Sequence, residues 1–148
     1  TDVPGNRIIP FVDTPFGRLG AAICYDLDFP AMIRQAGRDG VDIMLDPSWD
    51  WRAIDPLHTW MAAFRAVENG FSLVRHTGEG LSIAVDPLGR TLASMDHFTT
   101  SDRVMVADVP TRGIRTIYSR LGDYFAWACF LGLIALFFWG RTILSHIK

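Results

Sequence analysis

The chain has 148 residues, 49% of them hydrophobic, and a net charge of −2, so it is long enough to form one domain with a substantial core. Its basic residues are scattered arginines with one lysine, Lys148, which excludes the basic and aromatic stripe of a nucleic-acid-binding surface. The two cysteines and four histidines lack the spacing of a disulfide framework or a metal site, so we expect no metal and no cofactor.

Strand-like and helix-like stretches alternate from residue 1 to residue 110, which predicts an α/β layered domain and not an all-β barrel. Apolar runs between turn residues predict strands at residues 8–12, 19–24, 41–45, 71–76, 81–86, 91–95 and 103–109. A first helix is expected from Pro30 to about Arg38. Proline is tolerated in a first helical turn, and Gly40 suits the position after the last turn.

The second helix has the clearest local pattern. Asp55 is a good N-cap, Pro56 suits the first helical position, and Gly70 suits the residue past the end. Five side chains at helical spacing form one apolar face: Leu57, Trp60, Met61, Phe64 and Val67. His58 and Arg65 lie together on a different face, either as site residues or as part of an ordinary polar surface.

Cys24 is the main candidate for chemistry. Small and apolar residues precede it, and a polar turn and Pro30 follow it, as expected where a buried strand ends and a helix begins. A thiol on such a turn faces a pocket near a helix N-terminus, where the helix dipole favours the thiolate. Cys24 is therefore a candidate nucleophile. The alternative is a structural cysteine buried in the core, which is the commoner fate of a free cysteine.

The C-terminal part of the chain predicts a membrane helix. Residues 124–140 contain no charged residue, and the apolar run resumes after Arg141. The stretch 124–144 is long enough to cross a bilayer, whose core needs about 20 residues, and it follows a polar connector at 111–123. The alternative is a buried core helix. Arg112, Arg115 and Arg120 precede the uncharged run, and Arg141 and Lys148 follow it, so the charge bias leaves its orientation open.

Residues 17–26 around Cys24, residues 58–70 and residues 80–90 follow one another in a specific order and spacing. They resemble the nucleophile segment, the following helix and the later strands of the nitrilase, or carbon–nitrogen hydrolase, superfamily. The resemblance covers residues 6–110. It implies the C-terminal half of an α-β-β-α sandwich, within a partial hydrolase domain at 1–110 in which Cys24 is the catalytic thiol.

Residues 118–127 and the triplet Cys24-Tyr25-Asp26 are similar to one branch of that superfamily, the apolipoprotein N-acyltransferases. This resemblance implies a bacterial inner-membrane protein with several N-terminal spans, a catalytic domain on the periplasmic side and one final span. It also implies that a thioester on Cys24 carries an acyl chain from a phospholipid to the N-terminal amine of a lipoprotein. Thr1 would then lie inside the catalytic domain. The oligomeric state stays open.

In the family the thiol works with a glutamate base and a lysine that both precede the cysteine in the chain. The family match assigns the base role to neither Glu68 nor Glu79, and Lys148 follows the expected span. We therefore expect the 148 residues alone to be inactive. The backbone N–H of Tyr25 is expected to stabilise the oxyanion, while Asp26 is expected either to orient the site or to form the turn.

Further residues are candidates for supporting the site or binding substrate. Trp49 and Trp51 match a loop near the family's pocket, and His58 and Arg65 on the second helix join them. Gly78 departs from the family, which often has Asn there. Two other functions remain open: a membrane-anchored amidase or nitrilase relative that uses water or another amine as acceptor, and a non-catalytic membrane-anchored scaffold.

Overall fold

The computed structural model describes Gly5 and residues 7–146, with side chains as far as Gly140. Six strands form one sheet in chain order: β1 (Phe11–Thr14), β2 (Gly17–Ala21), β3 (Ile43–Ser48), β4 (Ser72–Thr77), β5 (Leu81–Val85) and β6 (Thr91–Asp96). The helices are α1 (Pro30–Asp39), α2 (Leu57–Asn69), α3 (Ile117–Leu121) and α4 (Tyr124–His146). Strands β2, β3 and β4 are parallel, and the other pairings are antiparallel. The expected α/β class is therefore confirmed, with a mixed sheet.

Helices α1, α2 and α3 pack against one another, and α2 also packs on β4 and β5. Successive strand residues point to opposite faces of the sheet. On the helix side Met44 and Leu73 are fully buried, and they belong to a core cluster that includes Ile33, Ala66 and Ile83. On the opposite side Leu45 is 41% exposed and Pro47 is exposed, so the second half of that face of β3 is open to solvent.

Helix α1 follows the prediction, because it begins at Pro30 and its C-cap Gly40 has φ of +73°, a conformation that favours glycine. Helix α2 differs at its start. It begins at Leu57 with Pro56 as N-cap residue, and the Asp55 carboxylate instead accepts the Leu81 N–H at 2.7 Å. The expected N-cap role of Asp55 is therefore wrong, because its side chain is engaged by the first residue of β5.

The apolar face of α2 does not point into the core. Its five members are 39–66% exposed: Leu57, Trp60, Met61, Phe64 and Val67. The buried face of α2 consists instead of small and polar residues: His58, Thr59, Ala62, Ala63, Ala66 and Asn69. Small side chains bring the helix axis close to the sheet, and the buried polar groups find partners there, as described below.

Residues 103–109 form no strand, contrary to the alternating pattern. Val104 and Val106 in this segment are 77% and 83% exposed, so the alternation does not mark a buried face. The chain is fixed again just beyond the segment. There the Gly113 N–H donates to Asp42 Oδ1 at 2.8 Å, and the Ile114 N–H donates to the Gly70 carbonyl at 2.7 Å. Helix α3 then lies inside the expected connector 111–123.

Helix α4 covers the expected membrane segment. Every described side chain from Tyr124 to Gly140 is exposed, so this part of α4 is not a buried core helix. Within the part of the chain that the structure describes, no helix is both long and apolar enough to cross a membrane. The expected transmembrane helix at 124–144 is therefore not confirmed, and the side chains of residues 141–144 lie outside the described ones.

Candidate active site

Cys24 stands on a sharp turn between β2 and α1. It opens a 3₁₀ turn, Cys24–Asp28, and its φ of +49° lies in the left-handed region that residues with a Cβ rarely adopt. The Asp26 carboxylate accepts the Ile23 N–H at 2.9 Å, so Asp26 forms the turn. Cys24 is half-buried, and its thiol is therefore not sealed among aliphatic side chains.

The thiol lies between a loop and a group of buried polar side chains. Its S–H donates to the Trp49 carbonyl, with Sγ and O 3.8 Å apart. Sγ, a ring nitrogen of His58 and a carboxylate oxygen of Asp50 all lie within 4.8 Å of one another. These three groups could ligate a metal ion, but Asp50 and His58 already bond to each other at 2.7 Å.

Arg75 is the centre of the buried polar group. It is fully buried, and its guanidinium donates to Asp46 Oδ2 and to both oxygens of Asp50, at 2.9 and 3.0 Å. Its Nε donates to Thr59 Oγ1 at 3.3 Å. Asp50 in turn accepts from His58 Nδ1. We call Asp46, Asp50, His58 and Arg75 the Arg75 cluster; it joins β3, β4, α2 and the loop after β3.

Burial and charge act on the two carboxylates of this cluster differently. Burial raises the pKa of Asp46 to about 6, against the charge and hydrogen bond of Arg75. Burial also opposes ionisation of Asp50, but the hydrogen bond from His58 and the charge of Arg75 outweigh it and hold the pKa of Asp50 below its usual range. Asp28 adds a third carboxylate, with Oδ1 3.3 Å from His58 Nε2. The surroundings of the thiol are therefore rich in carboxylates, with Arg75 as the balancing cation.

The structure brings His58 to the site but leaves Arg65 away from it. His58 is 2% exposed, although the sequence placed it on a polar face. Arg65 lies seven residues further along α2, about 10 Å at 1.5 Å per residue. There its Nη1 pairs with Glu68 Oε2 at 2.9 Å. Burial raises the pKa of Glu68, and the charge of Arg65 only partly offsets it.

The two tryptophans of the loop have different surroundings. Trp49 and Trp51 are 66% and 58% exposed. The Trp49 ring lies directly against Gly78, where any Cβ would collide with it, so the glycine makes room for the ring. The Trp51 carbonyl accepts the N–H groups of Ile54 and Asp55 at 3.0 and 3.2 Å, closing the turn before α2. Trp49 thus borders the thiol, whereas Trp51 shapes the loop.

Tyr25 carries both an exposed ring and the amide that we expect at the oxyanion. The ring is 63% exposed and packs edge-on against Phe29, with centroids 5.4 Å apart. The backbone N–H of Tyr25 belongs to the first residues of the 3₁₀ turn, whose amides have no partner within the turn. The Cys24 N–H is already bonded to Asp46 Oδ1 at 2.8 Å, which leaves the next amide for a reacting oxygen.

A cavity of about 660 Å³ lies beside β1 and α1. It is bordered mainly by apolar residues such as Ile9, Phe29 and Met32, and Asp26 reaches it. Cys24 does not border it, so the large cavity lies next to the turn and does not open over the thiol. This cavity is therefore not the pocket that we expected at the thiol.

Sequence reasoning missed three site residues: Asp46, Asp50 and Arg75. Asp46 and Arg75 are direct partners in the parallel register of β3 and β4. The sequence did contain one signal for this pair, namely a charged residue at or near the end of each of two neighbouring apolar strands. Opposite charges at such positions can pair in the core, but only the strand register shows that they meet.

The sequence model described as "Carbon-nitrogen hydrolase" matches residues 3–118. The chain is 32% identical over 149 residues to "Apolipoprotein N-acyltransferase" of Geobacter metallireducens, covering 97% of this chain and 28% of that protein. It is 34% identical over 142 residues to the protein of the same name in Vibrio vulnificus, covering 93% and 28%. The chain therefore spans about 28% of the length of these curated relatives.

Solved structures with the same fold include an amidase from Nesterenkonia sp., with a TM-score of 0.64 and 26% identity over 83% of this chain and 49% of that one. A second is a variant of the Nesterenkonia sp. AN1 amidase carrying the acetamide moiety of fluoroacetamide on its active-site cysteine. It has a TM-score of 0.62 and 28% identity, covering 74% of this chain and 44% of that one.

Proposed function

The chain belongs to the carbon–nitrogen hydrolase family, and from that premise we propose that it carries the nucleophilic thiol of a membrane acyltransferase. The enzyme would move an acyl chain from a phospholipid to the N-terminal amine of an apolipoprotein. The observation that carries the proposal is Cys24 at φ +49°, on the turn between strand β2 and helix α1. Relatives named apolipoprotein N-acyltransferase support the substrate class. The activity would be that of a longer protein.

The reaction would proceed in two acyl transfers. In the first, the Cys24 thiolate attacks the phospholipid ester carbonyl, and the ester C–O bond breaks to give a thioester and a lysophospholipid alcohol, which takes up the thiol proton through the base. In the second, the lipoprotein amine attacks the thioester. An amide forms, the C–S bond breaks, and the amine proton returns to the thiol. Each tetrahedral oxyanion needs hydrogen-bond donors, and the Tyr25 N–H would be one of them.

The base and the lysine of the family would come from residues outside this chain. Two of the three carboxylates beside the thiol are engaged, because Asp46 and Asp50 both bond to Arg75, and the third, Asp28, faces His58 Nε2 at 3.3 Å. Glu68 is paired with Arg65. Since a free thiol needs a neighbouring base at neutral pH, we expect the 148 residues by themselves to show no turnover.

We further propose that residues 124–144 hold the domain at the bacterial inner membrane, with the domain on the periplasmic side. The support is the exposure of every described side chain from Tyr124 to Gly140, including Phe130, Leu133 and Phe137. Apolar surface on all sides of a helix is costly in water and needs a cover. Lipid would provide it, and a membrane anchor suits an enzyme whose two substrates both carry acyl chains.

A second layer of the sandwich would cover the open sheet face. Leu45 on that face is 41% exposed, while the helix face is closed by α1 and α2. We propose that the other half of the hydrolase domain packs there and brings the missing base and lysine towards Cys24. A buried sheet normally has both faces covered when its central strands are parallel, as β2, β3 and β4 are.

The decisive experiment traps the acyl-enzyme. The full-length protein is incubated with a phospholipid carrying a radiolabelled acyl chain, and the labelled protein is treated with hydroxylamine, which cleaves thioesters. We expect a hydroxylamine-sensitive label that is absent in Cys24→Ala and retained in the matched control Cys129→Ser. A label that persists in Cys24→Ala contradicts the nucleophile assignment.

A second candidate function is amide hydrolysis, because the solved relatives are amidases. The same thioester would then be attacked by water or another amine. Ammonia release from a simple amide, without acyl transfer to a diacylglyceryl peptide, would favour this function. A protein that forms no acyl-enzyme with either substrate class would instead fit a non-catalytic scaffold.

A further inference from the structure

We propose that Asp46 and Arg75 are positioning residues for Cys24: the Asp46 carboxylate holds the Cys24 backbone in its left-handed conformation, and Arg75 holds Asp46. The proposal rests on the proposed function in one respect, namely that Cys24 is the nucleophile. It assigns a role to two buried side chains that act through the Cys24 amide.

The first step of the argument is the Cys24 backbone. Its φ of +49° is strained for a residue with a Cβ, and such a conformation persists only where its surroundings fix it. The Cys24 N–H donates to Asp46 Oδ1 at 2.8 Å, and the preceding Ala22 N–H donates to the Leu45 carbonyl at 3.1 Å. The end of β3 therefore holds the chain at two points where it enters the strained turn, and Asp46 provides the only side-chain hydrogen bond to the Cys24 amide among the described residues.

The second step is the rigidity of Asp46 itself. It is 1% exposed, and Arg75 is fully buried. Asp46 uses Oδ1 for Cys24 and Oδ2 for Arg75, so both oxygens have partners. The second terminal nitrogen of the Arg75 guanidinium, Nη2, donates to Asp50. A guanidinium with both terminal nitrogens bonded holds the Asp46 carboxylate in one place, and a lysine on a flexible stem would do so less well.

The third step is the choice of amide at the oxyanion. Because Asp46 occupies the Cys24 N–H, that amide cannot also donate to a reacting carbonyl oxygen. The next amide, that of Tyr25, is left at the start of the turn. Asp46 thus sets two things together: the direction in which Sγ points and the identity of the donor beside it. Both must be right within a fraction of an ångström for efficient attack.

The test uses the full-length enzyme with three variants of the pair and one control. Asp46→Ala removes the acceptor, Asp46→Asn keeps an oxygen for the Cys24 N–H, and Arg75→Lys keeps the charge but loses the fork. Asp86→Ala is the matched control. Asp86 is also a buried carboxylate that holds a turn, accepting the N–H groups of Leu88 and Arg90, both at 2.9 Å, but this turn lies between β5 and β6.

We expect Asp46→Ala to lower kcat by about 100-fold with KM within about twofold, because the nucleophile is misplaced and not the substrate. The kcat of Asp46→Asn should be at least about tenfold higher than that of Asp46→Ala. The kcat of Arg75→Lys should be about tenfold lower than that of the wild type. The control should lose thermal stability without losing kcat. Wild-type kcat in Asp46→Ala, or an Asp46→Asn enzyme no better than Asp46→Ala, overturns the proposal. If Asp46→Ala does not fold, wild-type kcat in Arg75→Lys overturns it.

A second readout separates this proposal from the proposed function. Alkylation of Cys24 by iodoacetamide at a fixed pH, followed on the Cys24 peptide by mass spectrometry, needs no acyl substrate. We expect the alkylation rate to change by about threefold or more in Asp46→Ala, because the thiol is displaced, and to stay unchanged in Asp86→Ala. An altered alkylation rate in Asp46→Ala of a protein that transfers no acyl chain contradicts the acyltransferase and leaves the positioning role intact. Wild-type acyl transfer with an unaltered alkylation rate in Asp46→Ala contradicts the positioning role and leaves the acyltransferase intact.

Discussion

Asp46 and Cys24 are joined by a hydrogen bond from the Cys24 N–H to Asp46 Oδ1, 2.8 Å long, between residues 22 positions apart in the chain. The bond ties the candidate nucleophile to a carboxylate in the core. Because Asp46 is also bonded to Arg75, the geometry of the turn depends on a buried charge pair. This dependence gives the site a pH and mutational sensitivity that an isolated cysteine would lack.

The pH dependence of stability should carry a contribution from Asp46. Its pKa rises from an ordinary 3.8 to about 6 on folding, so between these values the folded protein binds a proton that the unfolded protein has lost. The Asp46 contribution to stability therefore decreases as pH rises through this window, by up to ~1.4 kcal/mol per pH unit, and is constant above it. Asp46→Asn cannot titrate. Subtracting its unfolding free energy from that of the wild type at each pH, in detergent, should show this decline, and a flat difference contradicts it.

His58 should matter to stability far more than Arg65 does. His58 is buried and bonded to Asp50 at 2.7 Å, so His58→Ala removes a partner from a buried carboxylate and should cost about 2–4 kcal/mol. Arg65→Ala on the same helix removes a partly exposed ion pair with Glu68 and should cost less than ~1 kcal/mol. Denaturant unfolding of both variants measures the two values. Equal costs would argue against the Arg75 cluster as a structural unit.

Gly78→Ala should impair the site more than the fold. A Cβ at Gly78 would collide with the Trp49 ring, and the exposed ring can move away at a cost of roughly 1 kcal/mol or less. Moving Trp49 also disturbs its carbonyl, which accepts the Cys24 S–H, so we expect kcat to fall about tenfold. The Trp49→Ala/Gly78→Ala double variant should be no worse than Trp49→Ala. Additive losses would show that Gly78 acts independently of the ring.

Cys129 offers a direct probe of the membrane proposal. Its side chain is exposed on α4, inside the first third of the expected span at 124–144. In native membranes a water-soluble maleimide should label Cys129 at least about tenfold more slowly than a cysteine introduced at Asp108, because maleimide reacts with thiolate in water. Detergent denaturation should abolish the difference. Equal rates before denaturation would contradict a membrane-embedded α4.

Helix α2 shows the limits of periodicity. Its apolar face was correctly identified as a face, yet it is exposed while His58, Ala62 and Ala66 are buried. Periodicity reports which residues lie together, and it says nothing about whether a small-residue face with buried polar partners packs better against the sheet. The same limit applies to residues 103–109, whose alternation does not correspond to a strand.

The sequence by itself determined the features that depend on near neighbours. These are helix α1 with its proline and glycine ends, the short strands between turn residues, and the position of Cys24 where a strand meets a helix. Steric and hydrogen-bonding preferences act over a few residues, so a local window contains their causes. Only the tertiary structure decided the orientation of α2, the burial of Arg75 and its bond to Asp46, 29 residues away. A buried charge is stable only where its partners converge, and that convergence depends on strand register and helix packing.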